Sequence, residues 1–287
     1  MEPVVAVERD AGRTSLFAII VHVFHEDVWR TIADRLRVLH TPFELYATVP
    51  DSADFDSMAS AIASDFPGSQ VLRVANRGRD VAPFLRAMEA FDLYRYPAVL
   101  KLHTKRSSHL LHDGARWAND LFRSLIGDDD SVKSALRIFM DFPRVGMIYP
   151  DFVKAQISTE LIQNLRWLDL LLPRLGRTHN VLEGGWEFAA GTMFWFRGAA
   201  MKPLRDLRLV RDDFEPENGQ INGTLAHALE RVFPQIIYKS GHLIVTADHI
   251  NEVSPRALAS VVAGLQRAPQ PVRKGFRTPP KRGSTRR

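Results

Sequence analysis

The amino-acid sequence predicts an α/β protein with a mostly parallel sheet flanked by helices. Apolar runs typical of buried strands alternate with helical patterns through the first half, and turn residues separate them. The 287 residues, 45% of them hydrophobic, are enough to bury a sizeable core. No repeat or linker-like segment interrupts the chain before about residue 255, so we predict a single domain over residues 1–254.

The first half alternates strands and helices. Residues 16–24 form an apolar run rich in β-branched side chains, as in a strand buried on both faces. The same reasoning predicts strands at 43–49, 71–74 and 98–103, and helices at 28–39, 51–66 and 83–91. Ligands of such sheets bind beyond the carboxyl ends of the strands, which points to residues 22–27, 76–80 and 103–108.

The second half continues with mixed elements. The patterns predict two helices within 113–142, a strand at 145–149, a helix at 158–172, a strand at 191–196, a polar loop at 212–222 and a helix at 223–232.

Composition and missing motifs exclude several classes of protein. The chain has no cysteine, which excludes a disulfide scaffold, a thiolate metal site and a cysteine nucleophile. Walker A, G-x-S-x-G and complete G-x-G-x-x-G motifs are absent from the sequence, which argues against nucleoside triphosphatases, α/β hydrolases and dinucleotide dehydrogenases.

The positive charge is concentrated at the C-terminal end. Residues 267–287 hold eight Lys or Arg and no acid, and without them 30 basic residues face 33 acidic ones. We therefore expect no nucleic-acid partner for the body, and a disordered basic tail over 255–287. The tail is either a solvated terminus or a contact with anionic lipid heads. The acidic N-terminus and the lack of a long apolar run predict a cytoplasmic protein, with that tail contact at the inner face of the membrane.

A glycine turn follows the third predicted strand. In the sequence Asn76-Arg77-Gly78-Arg79-Asp80, the glycine lets the backbone approach a ligand, and a helix N-terminus with two arginines favours an anion such as a nucleotide diphosphate. The alternative is a plain turn in which Asp80 caps the helix and both arginines are solvated.

Ionisable side chains alternate at the end of the fourth predicted strand. Lys101, His103 and Lys105 lie where the strand should be buried, so they need partners that an anionic ligand would supply. The alternative is a frayed strand end with solvated lysines.

An aromatic stretch at 186–197 offers candidate contacts to a sugar. Aromatic side chains at such positions more often belong to a core, so we expect most of the stretch to be buried. Trp195 and Arg197 are the two residues of this stretch best placed to reach a site.

An acidic loop at 212–220 can supply a general base. Pro216 stiffens the chain before Glu217 and Gly219 permits a turn after it, so Glu217 is the first choice and Asp213 the second. The alternative is a solvated acidic loop. His227 and Glu230 share a face of the next helix, although a metal site would need a third ligand.

Together these segments resemble the rhamnan synthesis protein F family, glycosyltransferase-like proteins of bacterial surface rhamnose polysaccharide assembly. The resemblance rests on NRGRDVAPFL, VLKLHTKRS with Trp117 downstream, FAAGTMFWFR and FEPENGQINGTLAHALER, and it covers roughly 16–246. More distantly, Asn76 and Gly78 with Ala82 are similar to the nucleotide-sugar segment of GT-A transferases. The resemblance implies a GT-A-like nucleotide-binding domain, with a donor half at about 15–150 and an acceptor half at about 151–254.

The resemblance also implies a function. It indicates a rhamnosyltransferase that uses a nucleoside diphosphate rhamnose and a lipid-linked saccharide acceptor, without a further cofactor. The alternative is a non-catalytic module that binds nucleotide sugar or polysaccharide in an assembly complex; the oligomeric state stays open.

His22 is a candidate near the nucleobase, with core or solvent roles as alternatives. The expected site comprises catalytic Glu217 and Asp213, donor-binding Asn76, Arg77, Gly78, Arg79, Asp80, Lys101, His103, Lys105 and His22, and acceptor-binding Trp195, Arg197, His227 and Glu230.

One departure concerns the metal. Many GT-A enzymes carry Asp-x-Asp at the end of the fourth strand, whereas this chain has His103-Thr104-Lys105. The sequence at 128–130 has the Asp-x-Asp spacing but lies between predicted helices. We therefore predict metal-independent transfer in which cations of the protein meet the diphosphate; the alternative is that catalysis is lost.

Overall fold

The computed structural model describes residues 4–5, 17–52, 54–104, 114–157, 161–177 and 186–247. All of them belong to one compact unit, Met1–Val253. Lys105 and the predicted tail at 255–287 lie outside the described residues.

Strands and helices alternate along the described part of the chain. The strands are β1 (Val4–Val5), β2 (Phe17–His22), β3 (Glu44–Pro50), β4 (Gln70–Val74), β5 (Ala98–His103), β6 (Val145–Tyr149), β7 (Lys154–Gln156), β8 (Glu187–Ala189), β9 (Phe194–Phe196) and β10 (Leu243–Thr246). The helices are α1 (Glu26–Arg37), α2 (Phe55–Asp65), α3 (Val81–Ala90), α4 (Gly114–Leu125), α5 (Asp129–Asp141), α6 (Leu161–Arg174) and α7 (Leu225–Lys239).

An eight-stranded sheet forms the centre, in the order β1-β4-β3-β2-β5-β9-β6-β10. Strands β4, β3, β2 and β5 are mutually parallel, and β9 runs antiparallel between β5 and β6. Strand β10 continues the sheet parallel to β6. The predicted fold class is confirmed: this is an α/β, GT-A-like domain with a mostly parallel sheet flanked by helices.

The two central strands bring the predicted polar segments together. Every residue of β2 and of β5 is buried, because both are apolar runs covered on two faces. Their register pairs His22 with His103, so the two histidines lie side by side where the strands end. We call the side of the sheet where these parallel strands end the carboxyl edge, and a ligand site is expected there.

Helix α7 extends further than the sequence pattern predicted. It was predicted at 223–232, but it continues to Lys239 with Pro234 inside it. Burial of most of the helix against the core outweighs the hydrogen bond that the proline removes. Pro173 likewise lies inside α6 instead of ending it. None of the helices in the described ranges is long and apolar enough to cross a bilayer.

Candidate functional site

A buried ion pair lies at the carboxyl edge of the sheet. The Nζ atom of Lys101 is 2.6 Å from Oδ2 of Asp80 and also donates to the carbonyl oxygen of Thr192 at 2.7 Å. Lys101 is 2% exposed and Asp80 6% exposed. The Thr192 hydroxyl donates to Asp80 as well. These contacts tie β5, the turn before β9 and the start of α3 into one polar cluster in the interior.

The pKa shifts of this pair follow from burial and charge. Burial opposes ionisation of Asp80, but Lys101 and His103 together hold its pKa well below the usual range. Burial also lowers the pKa of Lys101, and Asp80 opposes that shift. The side chain of Asp80 therefore binds Lys101 and makes no capping hydrogen bond to α3, which argues against the alternative in which its carboxylate caps the helix.

Both histidines at the strand ends are buried and hydrogen-bonded. His103 donates from Nε2 to the carbonyl oxygen of Gly191 at 2.6 Å. His22 contacts the hydroxyl of Thr48 through Nδ1 at 2.9 Å. The pKa of His22 is lowered to about 4, mainly by burial; Asp80 opposes this shift, and the charges of His103 and Lys101 add to it. At neutral pH His22 is therefore uncharged.

The residues at 76–80, hereafter the glycine segment, meet the acidic loop at 212–220. The amide nitrogen of Arg79 donates to Oε1 of Glu217 at 2.7 Å, and its Nη1 donates to the carbonyl oxygen of Gln220 at 2.8 Å. Arg77 donates to Asp212 at 3.0 Å and forms an isolated β-bridge with Pro216. The two segments are 130 or more residues apart in sequence, so only the fold brings them together.

Close packing at Gly78 also joins the glycine segment to the acidic loop. Its φ is 67°, which favours glycine, and a Cβ atom there would lie 2.6 Å from both Ala82 Cβ and Phe214 Cδ1. Phe214 of the acidic loop is buried against this position. The glycine was expected to admit a ligand, whereas the structure fills that space with Phe214.

Both ring nitrogens of His227 have close polar neighbours. Nη1 of Arg79 donates to His227 Nε2 at 2.6 Å, because a guanidinium can only donate. Nδ1 lies 2.6 Å from the hydroxyl of Thr224 and 3.4 Å from the amide nitrogen of the same residue. His227 is thus held between Arg79 and the N-terminus of α7.

The remaining predicted residues divide between the site and the rest of the fold. Asn76 is exposed at the carboxyl edge. Glu230 lies near the ion pair and accepts from the amide of Gly191 at 2.7 Å. The carboxylate of Asp213 accepts from the amide of Val210 at 2.8 Å, within its own turn.

Trp195 and Arg197 do not lie at the carboxyl edge. Trp195 is 0% exposed and donates to the carbonyl oxygen of Leu125, as expected of a core residue. Arg197 follows the end of β9 that pairs with Val99, near the opposite edge of the sheet, and donates to the carbonyl oxygen of Val145 at 3.0 Å. The expected acceptor contacts of these two residues are therefore corrected: Trp195 packs in the core and Arg197 caps the ends of neighbouring elements.

Thr192 and Thr104 take part in the site without having been predicted. Thr192 has a φ of 54°, an unusual value for a threonine, and both its carbonyl and its hydroxyl bind Lys101. The hydroxyl of Thr104 accepts from the amides of Phe24 and His25 at 2.7 and 2.9 Å. The glycine before Thr192 hinted at a tight turn, but no local pattern connects this turn with Lys101.

Comparison with known proteins identifies relatives of this chain. It is 31% identical over 251 residues to an uncharacterised protein, WxcX, of Xanthomonas campestris pv. campestris strain B100, and 30% identical over 251 residues to the protein of that name from strain ATCC 33913. Each alignment covers 88% of this chain and 35% of the relative, so the chain spans about a third of their length. The model of the family described as Rhamnan synthesis protein F matches residues 3–242. The chain therefore belongs to the rhamnan synthesis protein F family.

Proposed function

We propose that this protein is a rhamnosyltransferase that uses a nucleoside diphosphate rhamnose to extend a lipid-linked bacterial surface polysaccharide. Family membership and the GT-A-like sheet support a glycosyltransferase-like role in rhamnan synthesis. One contact carries the finer proposal: Oε1 of Glu217 lies 2.7 Å from the amide nitrogen of Arg79. It puts a carboxylate of the acidic loop beside the glycine segment at the carboxyl edge, where such sheets bind nucleotides.

In this proposal Glu217 is the general base. The hydrogen bond from Arg79 holds Oε1, and Oε2 makes no hydrogen bond with another described residue, so Oε2 can take the proton of an acceptor hydroxyl. The acceptor oxygen then bonds to the anomeric carbon as the bond from that carbon to the diphosphate oxygen breaks. The leaving diphosphate gains negative charge, which nearby guanidinium groups stabilise.

A non-catalytic sugar-nucleotide-binding module is the second candidate. The observation that favours it is the pairing of Asp80, Lys101 and His103 with one another and with the turn before β9. Buried polar groups that form hydrogen bonds with one another can stabilise a fold without a bound substrate.

Turnover separates the two candidates. The experiment incubates the full chain with a panel of labelled nucleoside diphosphate sugars and lipid-linked acceptor, and measures sugar transfer together with nucleoside diphosphate release. Transfer to lipid-linked product supports the transferase. Saturable binding of a nucleotide sugar without any transfer contradicts it and supports the binding module.

We also propose that the basic segment at 267–287 contacts the anionic inner face of the bacterial membrane, where a lipid-linked acceptor is exposed to the cytoplasm. Eight cations without an acid attract such a surface, by about 1 kcal/mol for each basic residue close to it. Co-sedimentation with anionic vesicles, for the full chain and for a variant lacking residues 267–287, tests this contact. Equal binding by both would contradict it.

A further inference from the structure

A pocket lined by three arginines lies between the end of β4, the N-terminal half of α3 and Arg211, which precedes the acidic loop. Its volume is about 400 Å3, and Arg77, Arg86 and Arg211 line it together with small apolar side chains. Arg86 is exposed on α3 and forms no ion pair within the described part of the chain. The pocket is separate from the buried pair of Lys101 and Asp80, neither of which lines it.

Two of the three arginines of this pocket share one carboxylate. Oδ1 of Asp212 lies 3.0 Å from Arg77 Nη1 and 3.0 Å from Arg211 Nε. Both arginines lower the pKa of Asp212, Arg211 more strongly, so it is ionised at neutral pH. Arg86 adds a third guanidinium group to the lining of the pocket.

The arginines, and not the N-terminus of α3, supply the donors for an anion here. The amides of Val81 and Ala82 already bond to the carbonyl oxygen of Gly78, at 3.1 and 3.0 Å, and Pro83 has no amide hydrogen. A guanidinium carries five N–H donors in a planar fork that matches phosphate oxygens. Apolar walls next to these groups strengthen their attraction for a negative charge.

We propose that this arginine pocket binds an esterified diphosphate. Such a group carries about two negative charges at neutral pH, and bidentate arginine contacts suit its oxygens. Both a nucleoside diphosphate sugar and a diphosphate-linked lipid saccharide contain this group. The inference deepens the proposed function, on which it rests for the choice between these two sources.

Calorimetric titration of the full chain with inorganic pyrophosphate tests the pocket, at constant ionic strength. Arg86→Gln removes one exposed guanidinium and should weaken pyrophosphate binding about tenfold or more. Arg30→Gln is the matched control, since Arg30 is an exposed arginine on α1 that does not line the pocket. Asp212→Asn, which removes the competing carboxylate, should tighten binding. An Arg86→Gln affinity within twofold of the control, or weaker binding by Asp212→Asn, would overturn the proposal.

Two further titrations identify the source of the diphosphate. One uses the panel of nucleoside diphosphate sugars and the other a short-chain isoprenyl diphosphate sugar, each with the wild type, Arg86→Gln and Arg30→Gln. A selective loss in Arg86→Gln for either ligand supports the pocket and names its occupant; no selective loss for either overturns it. Because these measurements require no transfer, a catalytically inactive chain that shows the Arg86 effect would contradict only the proposed function.

Discussion

The ammonium group of Lys101 lies 2.6 Å from the carboxylate of Asp80, and the two side chains are among the least exposed charged groups in the described part of the chain. The pair joins β5 to the residue that precedes α3, and the bond from Lys101 to Thr192 extends the link to the turn before β9. Through its pairing with Asp80, Lys101 therefore fixes the C-terminal end of the glycine segment to the sheet. In the proposed function, we expect more exposed cations such as Arg77 to contact the donor directly.

Breaking this pair should destabilise the fold strongly. Asp80→Asn leaves the Lys101 charge buried without its counter-charge, so we expect the free energy of unfolding to fall by about 3–5 kcal/mol. Lys101→Met in the same background should recover part of that loss. Asp51→Asn, which breaks the exposed pair with Arg73, is the control and should cost about 1 kcal/mol or less. Urea denaturation measures all four proteins, and an Asp80→Asn variant as stable as the control would refute the structural role.

Acidification should weaken the fold through His22. Its folded-state pKa of about 4 lies below its ordinary value of 6.5, so between these values the unfolded chain binds a proton that the folded chain does not. The stabilisation is complete above pH 6.5 and is lost as the pH falls towards 4, by roughly 3 kcal/mol in total.

The His22→Asn variant isolates this contribution, because asparagine cannot titrate but can still bond to Thr48. The unfolding free energy of the wild type should fall more steeply between pH 6.5 and 4 than that of His22→Asn. Half-buried His242, whose pKa burial also lowers, contributes equally to both proteins. Identical slopes in the two proteins would show that His22 takes no part.

Gly78 should tolerate no side chain. In Gly78→Ala the new Cβ would meet Ala82 and Phe214 at 2.6 Å, in addition to the strain of a positive φ. Gly219→Ala is a matched control, since Gly219 has a φ of 73° with nothing within 4 Å of the added Cβ. We expect about 1–2 kcal/mol of destabilisation in the control and a further 1–3 kcal/mol in Gly78→Ala. If urea denaturation showed the same loss of unfolding free energy in both variants, the side chain of Phe214 would have to move aside at no cost, contrary to this prediction.

Local pattern predicted the elements of the sheet well. The strand at 98–103 has the predicted bounds because its apolar run is continuous and Pro97 precedes it. The strand at 145–149 also agrees with its prediction. Strand β10, which has only four residues and follows α7 closely, was not predicted.

The partners within the site could not be predicted in the same way. Asp80 has the position of a helix cap, and only the register of β5 and the turn at Thr192 show that Lys101 takes its carboxylate. The contact between Arg79 and Glu217 likewise joins segments from the two halves of the chain. Such pairings depend on the order of the strands in the sheet, and a short stretch of sequence carries no information about that order.

Transfer should not require a divalent metal. Both ring nitrogens of His227 are engaged, by Arg79 and by Thr224, and Glu230 accepts from Gly191. Within the described ranges no three His, Asp or Glu side chains are grouped to hold a metal ion. We expect the transfer rate in excess EDTA to stay within about twofold of the untreated rate, since guanidinium groups can meet the diphosphate charge. Loss of activity in EDTA that Mg²⁺ or Mn²⁺ restores would contradict this prediction.

The rate of sugar transfer by Glu217→Gln tests the central claim most directly. The measurement uses saturating nucleoside diphosphate rhamnose and lipid-linked acceptor, beside the wild type and a control, Asp213→Asn, whose carboxylate bonds to Val210 within its own turn. Glutamine can still accept the hydrogen bond from Arg79 but cannot remove a proton. We therefore expect unchanged donor affinity, a transfer rate lower by about 10²–10⁴-fold in Glu217→Gln, and a near-normal rate in the control. A near-normal rate in Glu217→Gln would contradict the assignment of Glu217 as the base.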